Sequence, residues 1–424
     1  MRPSPKIQEF PHFPVTAGTA LLAIGVTIAW WAKVDISPLF ENAMIRHGQL
    51  WRLITSIFPH INIVHLIFNV YWLWIFGTAI ERVFGHLKTV ALFLLFAFGS
   101  NAMDYAFSSG GVGLSGVGYG LFGLLWILSS QDERFQDVVD KRTIQLFIVW
   151  FFICVFTTVI GLFPVANTAH GVGAVIGILT GYAITDAGRR RLMVAALCAI
   201  LVAGIWAATL GRPRLNLSKY GGYEEAQWGY QALQAKRNDE AIRWFREALA
   251  YKPNEASIWY DLGIAYERVG DSAALSAYRK AAEGGDDAAQ YYLGKLYDSG
   301  QLGLIKDQHQ AISWYQKSAN KGNPAAENDL AWAYATSQDS SIRNPKAALE
   351  HALKAVEAEK KTPNAATLDT LAESYYVNGR WQEAVDTEQE ALAIVSGENK
   401  EQFEKGLKKY QEALKKDGPQ SKLK

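Results

Sequence analysis

Residues 192–210 read LMVAALCAILVAGIWAATL, a run without a single charge. A helix in water keeps a polar face, so a helix that is apolar all round belongs in hydrocarbon or a deep core. At ~1.5 Å per residue this run covers about 28 Å, close to the ~30 Å of a bilayer interior. Toward the N-terminus, comparable runs recur at about 14–34, 60–80, 89–107, 114–130, 144–163 and 167–186, which predicts seven membrane helices. The first is read as a retained span and not a cleavable signal: it is long, ends on Trp30 and Trp31, and no small-residue cleavage pattern follows.

Beyond residue 211 the composition reverses. Residues 1–211 hold 13 Lys+Arg and 10 Asp+Glu, whereas the remaining 213 hold 29 and 31. The overall 20% charge and net charge of +1 therefore describe neither part. This profile excludes a single soluble domain and a collagen-like or disordered chain. Neither part carries the basic excess of a nucleic-acid partner, so none is implied. Cys154 and Cys198 lie in apolar runs and suggest neither a disulfide framework nor a zinc site. No cofactor or metal is implied.

Basic residues in short loops set orientation. With a cytoplasmic N-terminus, the inner segments hold Arg2, Lys6, Arg82, Lys88, Arg134, Lys141, Arg142, Arg189, Arg190 and Arg191. The outer segments hold Lys33, Arg46, Arg52, Arg212 and Arg214. This asymmetry favours an inside N-terminus, and an odd number of spans then places everything after residue 211 outside.

Polar groups inside spans are costly and are functional candidates for that reason. His65 and Asn69 lie four apart and share a helix face. In GVGLSGVGYGLFG, Ser115 sits between Gly113 and Gly116, with Tyr119 one turn on. The sixth span opens on Asn167-Thr168-Ala169-His170 and continues through Gly173, Gly177 and Gly181. Glycines spaced by four let another backbone approach, and Gly116, Gly120 and Gly123 offer a matching surface. Two such faces packed together would bring the Ser115 hydroxyl to the His170 imidazole. Alone, a glycine strip is usually packing, and a serine in a span usually bonds its own backbone. Together they supply a nucleophile and the base best matched to neutral pH.

Across about residues 12–186 the sequence resembles the rhomboid intramembrane serine proteases. The resemblance rests on Gly48-Gln49-Leu50-Trp51-Arg52, on His60 with His65-Leu66-Ile67-Phe68-Asn69, on Gly113-Leu114-Ser115-Gly116, and on Ala169-His170-Gly171-Val172-Gly173 with Gly177. Glu81-Arg82 falls where the family keeps an acid–base pair at the end of its second helix. The resemblance implies a Ser115–His170 dyad and an oxyanion site made by the Ser115 N–H with His65 and Asn69. Tyr119 would pack on the imidazole, Gly113 and Gly116 would support the site, and Trp51, Arg52, Glu81, Arg82, Gly173 and Gly177 would be structural. No acidic third member is apparent, since Asp186 lies about 24 Å along the helix from His170. A helix from Ser115 to about Ser130 is shorter than the bilayer core, which places the serine below the outer surface in a water-filled cavity.

From Gly221 the pattern becomes that of a helical repeat array. Gly229, Ala241, Phe245, Ala248 and Pro253 occupy tetratricopeptide positions, and Gly263 recurs 34 residues after Gly229 beside Trp259, Leu262 and Tyr266. Residues 291–322, with Leu293-Gly294, Tyr297, Gly300, Ala311, Trp314-Tyr315 and Gly322, resemble the related Sel1-like repeat. Leu371-Ala372, Tyr375, Ala384 and Ala391 mark a further unit, and 330–355 a weaker one. About five helix pairs make a stacked solenoid that binds an unknown protein or peptide. His351 reads as an exposed helical residue and not a ligand.

The expectation is thus all-α. A rhomboid-like core (1–186), a seventh span (187–211), a linker (212–220), a repeat domain (221–415) and a flexible tail (416–424) follow one another. The function implied is a serine endopeptidase in a bilayer, in a bacterial inner membrane, acting on transmembrane proteins near the outer ends of their helices. The competing classes are a catalytically inactive relative that binds membrane clients and a membrane-anchored scaffold. The first has no chemical need for Ser115, His170, His65 and Asn69, and the second leaves them unexplained.

Overall fold

A computed structural model of the chain describes residues 7–163, 165–362, 364–395 and 400–417. Arg2 and Lys6, counted above for orientation, lie outside the described residues. Regular structure among the described residues is helical throughout. The chain divides into two compact units, Met1–Glu225 and Ala226–Lys424.

The first unit holds seven long helices: α1 (Pro14–Trp31), α2 (Ile63–Phe84), α3 (His86–Phe107), α4 (Ser115–Gln131), α5 (Lys141–Val159), α6 (Asn167–Thr185) and α7 (Arg190–Ala208). Six are long and apolar enough to cross a membrane. The exception, α4, has 17 residues and spans about 26 Å. It is also the centre of the bundle, with Val117, Leu121, Leu124, Leu125 and Leu128 buried against α2, α3 and α6. Peripheral α5 and α7 expose Phe152, Phe156, Leu192 and Val202, an apolar outer surface suited to lipid.

Local chemistry sets the helix starts. Pro14 opens α1, whose free Val15 and Thr16 amides donate to the Glu81 carboxylate at 3.0 and 2.9 Å. Glu81 therefore caps α1, where an acid also suits the helix dipole. Arg82 instead reaches Glu9 at 3.3 Å and lies over the Phe13 ring. The two residues act as separate ties to the N-terminal segment. Asn62 caps α2 by accepting from the His65 N–H at 2.9 Å, and Asp140 caps α5 through Thr143.

Helices α4 and α6 meet backbone to backbone. A Cβ added at Gly173 would strike the Gly116 carbonyl, one at Gly177 the Gly120 carbonyl, and one at Gly123 the Ala174 carbonyl. Gly181 lies under Ile127.

After α7 the chain turns back onto the end of α3. The Leu217 N–H donates to the Phe107 carbonyl at 3.0 Å, and Asn216 Nδ2 to the Ser108 carbonyl at 2.7 Å. Residues 212–217, read as part of the linker, bond this end of α3. The carbonyls that end α3 need donors, and this segment supplies them.

The second unit stacks five helix pairs: α8 (Tyr223–Gln234, beginning just before the unit boundary) with α9 (Asn238–Tyr251), α10 (Ala256–Arg268) with α11 (Ala274–Glu283), α12 (Asp287–Ser299) with α13 (Gln308–Ala319), α14 (Pro324–Thr336) with α15 (Pro345–Ala358), and α16 (Ala365–Val377) with α17 (Trp381–Ile394). Three pairs close where a glycine receives an aromatic ring: Gly229 under Phe245, Gly263 under Tyr278 and Gly294 under Tyr315. A last helix, α18 (Lys400–Asp417), buries Phe403 and Tyr410. Lys416 and Asp417, read as tail, are thus helical, and residues 418–424 lie outside the described residues. His351 is also corrected. It is buried on α15, with Nδ1 at 2.5 Å from Glu327 of α14, because a neighbouring helix offers its acid a partner within the stack.

Candidate active site

The site is built from a glycine-rich loop and the first turns of two helices. Four amides of the loop that precedes Ser115 have partners on another segment or within the loop. Gly110 N–H donates to Ser108 Oγ at 3.0 Å, Gly111 N–H to Glu41 Oε2 at 2.9 Å, Gly113 N–H to the Ser56 carbonyl at 3.0 Å, and Leu114 N–H to His60 Nε2 at 3.3 Å. Non-helical backbone at membrane depth is tolerated only when it is paired in this manner. Gly113 has φ +110, and a Cβ there would lie 2.6 Å from His65 Cε1, so both conformation and space require glycine.

His60 Nδ1 lies 2.9 Å from the Phe58 carbonyl. That acceptor fixes the proton on Nδ1 and leaves Nε2 free to accept from Leu114. Burial, aided by the neighbouring His65, pulls the His60 pKa down to about 4, so the ring stays neutral.

Helix α4 starts at Ser115, whose N–H has no intrahelical acceptor. Its Oγ lies 2.8 Å from His170 Nε2, in the first turn of α6. The glycine contacts between α4 and α6 permit that approach. Tyr119 stacks on His170, with centroids 4.6 Å apart and planes at 20°, and donates its hydroxyl to the Phe147 carbonyl. His170 Nδ1 is buried without a hydrogen-bond partner among the described residues. The ring is therefore oriented by stacking and by Ser115, not by a carboxylate. Ser115 and His65 keep partial exposure, while His170 is buried. Gly116 packs on Ser100.

His65 and Asn69 sit on one face of α2, and His65 packs on Gly113, two residues before Ser115. Asn69 Nδ2 is buried and unpartnered among the described residues. Arg52 is buried and donates to the Ser37 and Phe40 carbonyls at 2.9 and 3.1 Å and to Gln49, so it shapes the loop after α1 away from the dyad. Trp51 is exposed.

Sequence reasoning passed over a buried polar group behind the loop. Glu41, Ser56, Asn101, Asp104 and Arg212 are each less than a tenth exposed. Burial, with Asp104 close by, holds the Glu41 carboxyl well above the usual carboxylate range. A signal existed for one of them: Asp104 is the sole charged residue in the 89–107 run. Glu41 and Arg212 lie in polar loops, where charges are ordinary.

Both parts of the chain are similar to known proteins. The Rhomboid domain model matches residues 47–187. Sel1 repeat models match 287–323 and 324–359, and a TPR repeat model matches 229–270. The chain is 31% identical over 199 residues to the rhomboid protease GlpG of Klebsiella pneumoniae, covering 44% of this chain and 71% of the relative. It is 29% identical over 166 residues to the rhomboid protease GlpG of Salmonella paratyphi A, covering 39% of this chain and 57% of that one.

Proposed function

The chain belongs to the rhomboid family, as a multi-pass membrane protein with C-terminal TPR and Sel1 repeats, and on that premise we propose that it is an active intramembrane serine endopeptidase. The observation that carries this reading is the 2.8 Å separation of Ser115 Oγ and His170 Nε2. It is a nucleophile–base contact inside a membrane bundle, where an unused hydroxyl–imidazole pair would be costly.

In this reading His170 takes the Ser115 proton as Oγ attacks the scissile carbonyl, then delivers it to the leaving amine. The Ser115 N–H, at the positive end of α4, receives the developing oxyanion. Asn69 Nδ2, buried without a partner among the described residues, and His65 supply further donors. Water then releases the acyl group, and the partial exposure of Ser115 and His65 is consistent with its access.

The shortness of α4 supports a position for Ser115 below one membrane surface. The substrate peptide bond must leave its helix to be attacked, because helical carbonyls are already bonded. Transmembrane substrates with Gly, Pro or polar residues near that end are therefore preferred. Loop charges support an N-terminus in the cytoplasm and repeats on the active-site side of the membrane, where they would recruit or screen substrate ectodomains.

Labelling of the full chain with a fluorophosphonate tests the chemistry. Labelling is expected in the native chain and absent in Ser115→Ala. Cleavage of a transmembrane reporter is expected to fall by about 10⁴-fold in His170→Ala. An unlabelled native chain would overturn the proposal. For topology, a C-terminal reporter active only in the cytoplasm would do the same.

A further inference from the structure

The dyad lies at the meeting of two segments, the loop that delivers Ser115 and the first turn of α6. Both are tied to buried Asp104, and the loop is held as well by buried Glu41 and Arg212. Asp104, near the C-terminal end of α3, accepts from Ser108 Oγ at 2.9 Å, at the start of the loop. The Ala169 backbone N–H, one residue before His170, is a further hydrogen-bond partner of the same carboxyl. Asp104 thus joins the root of the serine loop to the root of the histidine helix. Gly111 is wedged between them, for a Cβ there would lie 3.2 Å from Asp104 Oδ2 and 3.0 Å from the Ala166 Cβ.

Glu41 holds the middle of the loop through the Gly111 N–H. Its other oxygen is 3.1 Å from Ser56 Oγ, which Asn101 Nδ2 reaches at 2.9 Å. Arg212 closes the group from the far side of α7. Its guanidinium lies 3.4 Å above the centre of the Tyr105 ring, and Nη1 donates to the Ser108 carbonyl at 2.9 Å. Its charge acts on both carboxyls. A cation beside two buried carboxyl groups favours their burial.

Neither Glu41 nor Arg212 falls within the 47–187 family match. We propose that Asp104, Glu41 and Arg212 form one positioning unit that sets the Ser115–His170 distance, and that the segment after α7 is part of the protease machinery as well as the way into the repeats. The inference rests on the dyad reading above. None of the three touches the reacting atoms, so each acts through the loop or through α6.

The full chain in detergent micelles distinguishes the alternatives. The readouts are the rate of fluorophosphonate labelling, the kcat and KM for a transmembrane reporter, and thermal unfolding. Displacing a reacting group by about 1 Å lowers rate by roughly 10²-fold. Asp104→Leu and Arg212→Met are therefore expected to slow labelling and kcat by about that factor, with KM little changed. Asp104→Asn, which keeps an acceptor for Ser108 and Ala169, is expected to recover most of the loss. Should Asp104→Leu fail to fold, Asp104→Asn and Glu41→Gln against Arg212→Met carry the test. Folded Asp104→Leu and Arg212→Met chains that label at the native rate would overturn the positioning role and leave the dyad standing. An unlabelled native chain would overturn both.

Discussion

Helices pack closely in both units, by opposite means. In the first unit, Gly173 and Gly177 of α6 face the carbonyls of Gly116 and Gly120 of α4, so main chain meets main chain. In the second, Gly229, Gly263 and Gly294 each form a socket for an aromatic ring on the paired helix. The difference follows from the solvent. Lipid offers no hydrophobic drive to bring helices together, so contact and close approach must supply it. Water rewards burial of a large ring, and a glycine makes room for one. The same residue type therefore sets the approach of Ser115 to His170 in one unit and makes room for a core ring in the other.

The sharpest way to break this contrast is to add one methyl group to each kind of contact. In Gly177→Ala the new Cβ meets the Gly120 carbonyl and, at 2.8 Å, the Leu124 amide, neither of which can rotate away. Overpacking of this kind costs about 3 kcal/mol at the upper end of the usual range. The expected result is a lower unfolding temperature and loss of labelling, because separating α4 from α6 also separates Ser115 from His170.

The pH response should also divide the molecule. His60 is neutral when folded, with a pKa of about 4 against 6.5 when exposed, so between those values the unfolded chain binds the extra proton. Its contribution to stability is lost as pH falls through that window, by about 2 kcal/mol between pH 6.5 and 5. Glu388 on α17 behaves in the opposite sense. Burial, with Asp369 nearby, pushes it up to about 8, so the folded state holds the proton and stability falls as pH rises above the usual carboxylate range. Hydrogen exchange, corrected for its intrinsic pH dependence, should show residues 108–114 opening in acid and α16–α18 opening in mild alkali. Parallel opening of both regions would mean the two buried groups do not govern these segments.

How much of this was legible in the sequence depended on whether a residue's neighbours were local. Helix number and placement were readable because a run such as 192–210 has one physical explanation, and the repeats because Gly263 recurs 34 residues after Gly229. The glycine faces of α4 and α6 were readable from their spacing. Glu41, Asp104 and Arg212 were not read as a group, because they lie on three segments up to 171 positions apart. Only Asp104 stood out, as an acid within an apolar run. Arg212 looked like a linker charge until the carbonyls ending α3 revealed what it bonds. His351 misled for the same reason: its partner Glu327 lies on the preceding helix of the stack.

Gly263→Ala, the counterpart of Gly177→Ala, should have a smaller effect. Its Cβ would meet the Tyr278 ring at 2.7 Å, so the ring must shift. Alanine also favours a helix over glycine by about 1 kcal/mol, which offsets part of the overpacking. A net loss of about 1 kcal/mol is expected in the thermal unfolding of the repeats. A loss as large as that of Gly177→Ala would show that the ring socket is as rigid as a backbone wall.

The smallest effect should come from the charges that dominate the second unit by number. Lys354 and Glu350 of α15 pair at 2.8 Å, with both side chains more than half exposed. Such a pair is weak because water screens it and both chains lose freedom to hold it. Glu350→Ala should therefore leave the unfolding temperature of the repeats nearly unchanged. Glu81→Ala is the opposite case, since it would strip α1 of a cap that serves two amides and a hydroxyl in a buried setting. Loss of a cap costs about 1 kcal/mol in water. It should cost more here, because the buried carboxylate accepts from two amides and a hydroxyl that would lose their partner together. If the two substitutions had equal effects, the abundance of charge in one unit and its scarcity in the other would carry no structural meaning. The difference expected between them comes from burial: an exposed carboxylate has many alternative partners in water, and a buried one at a helix end has only those the fold provides.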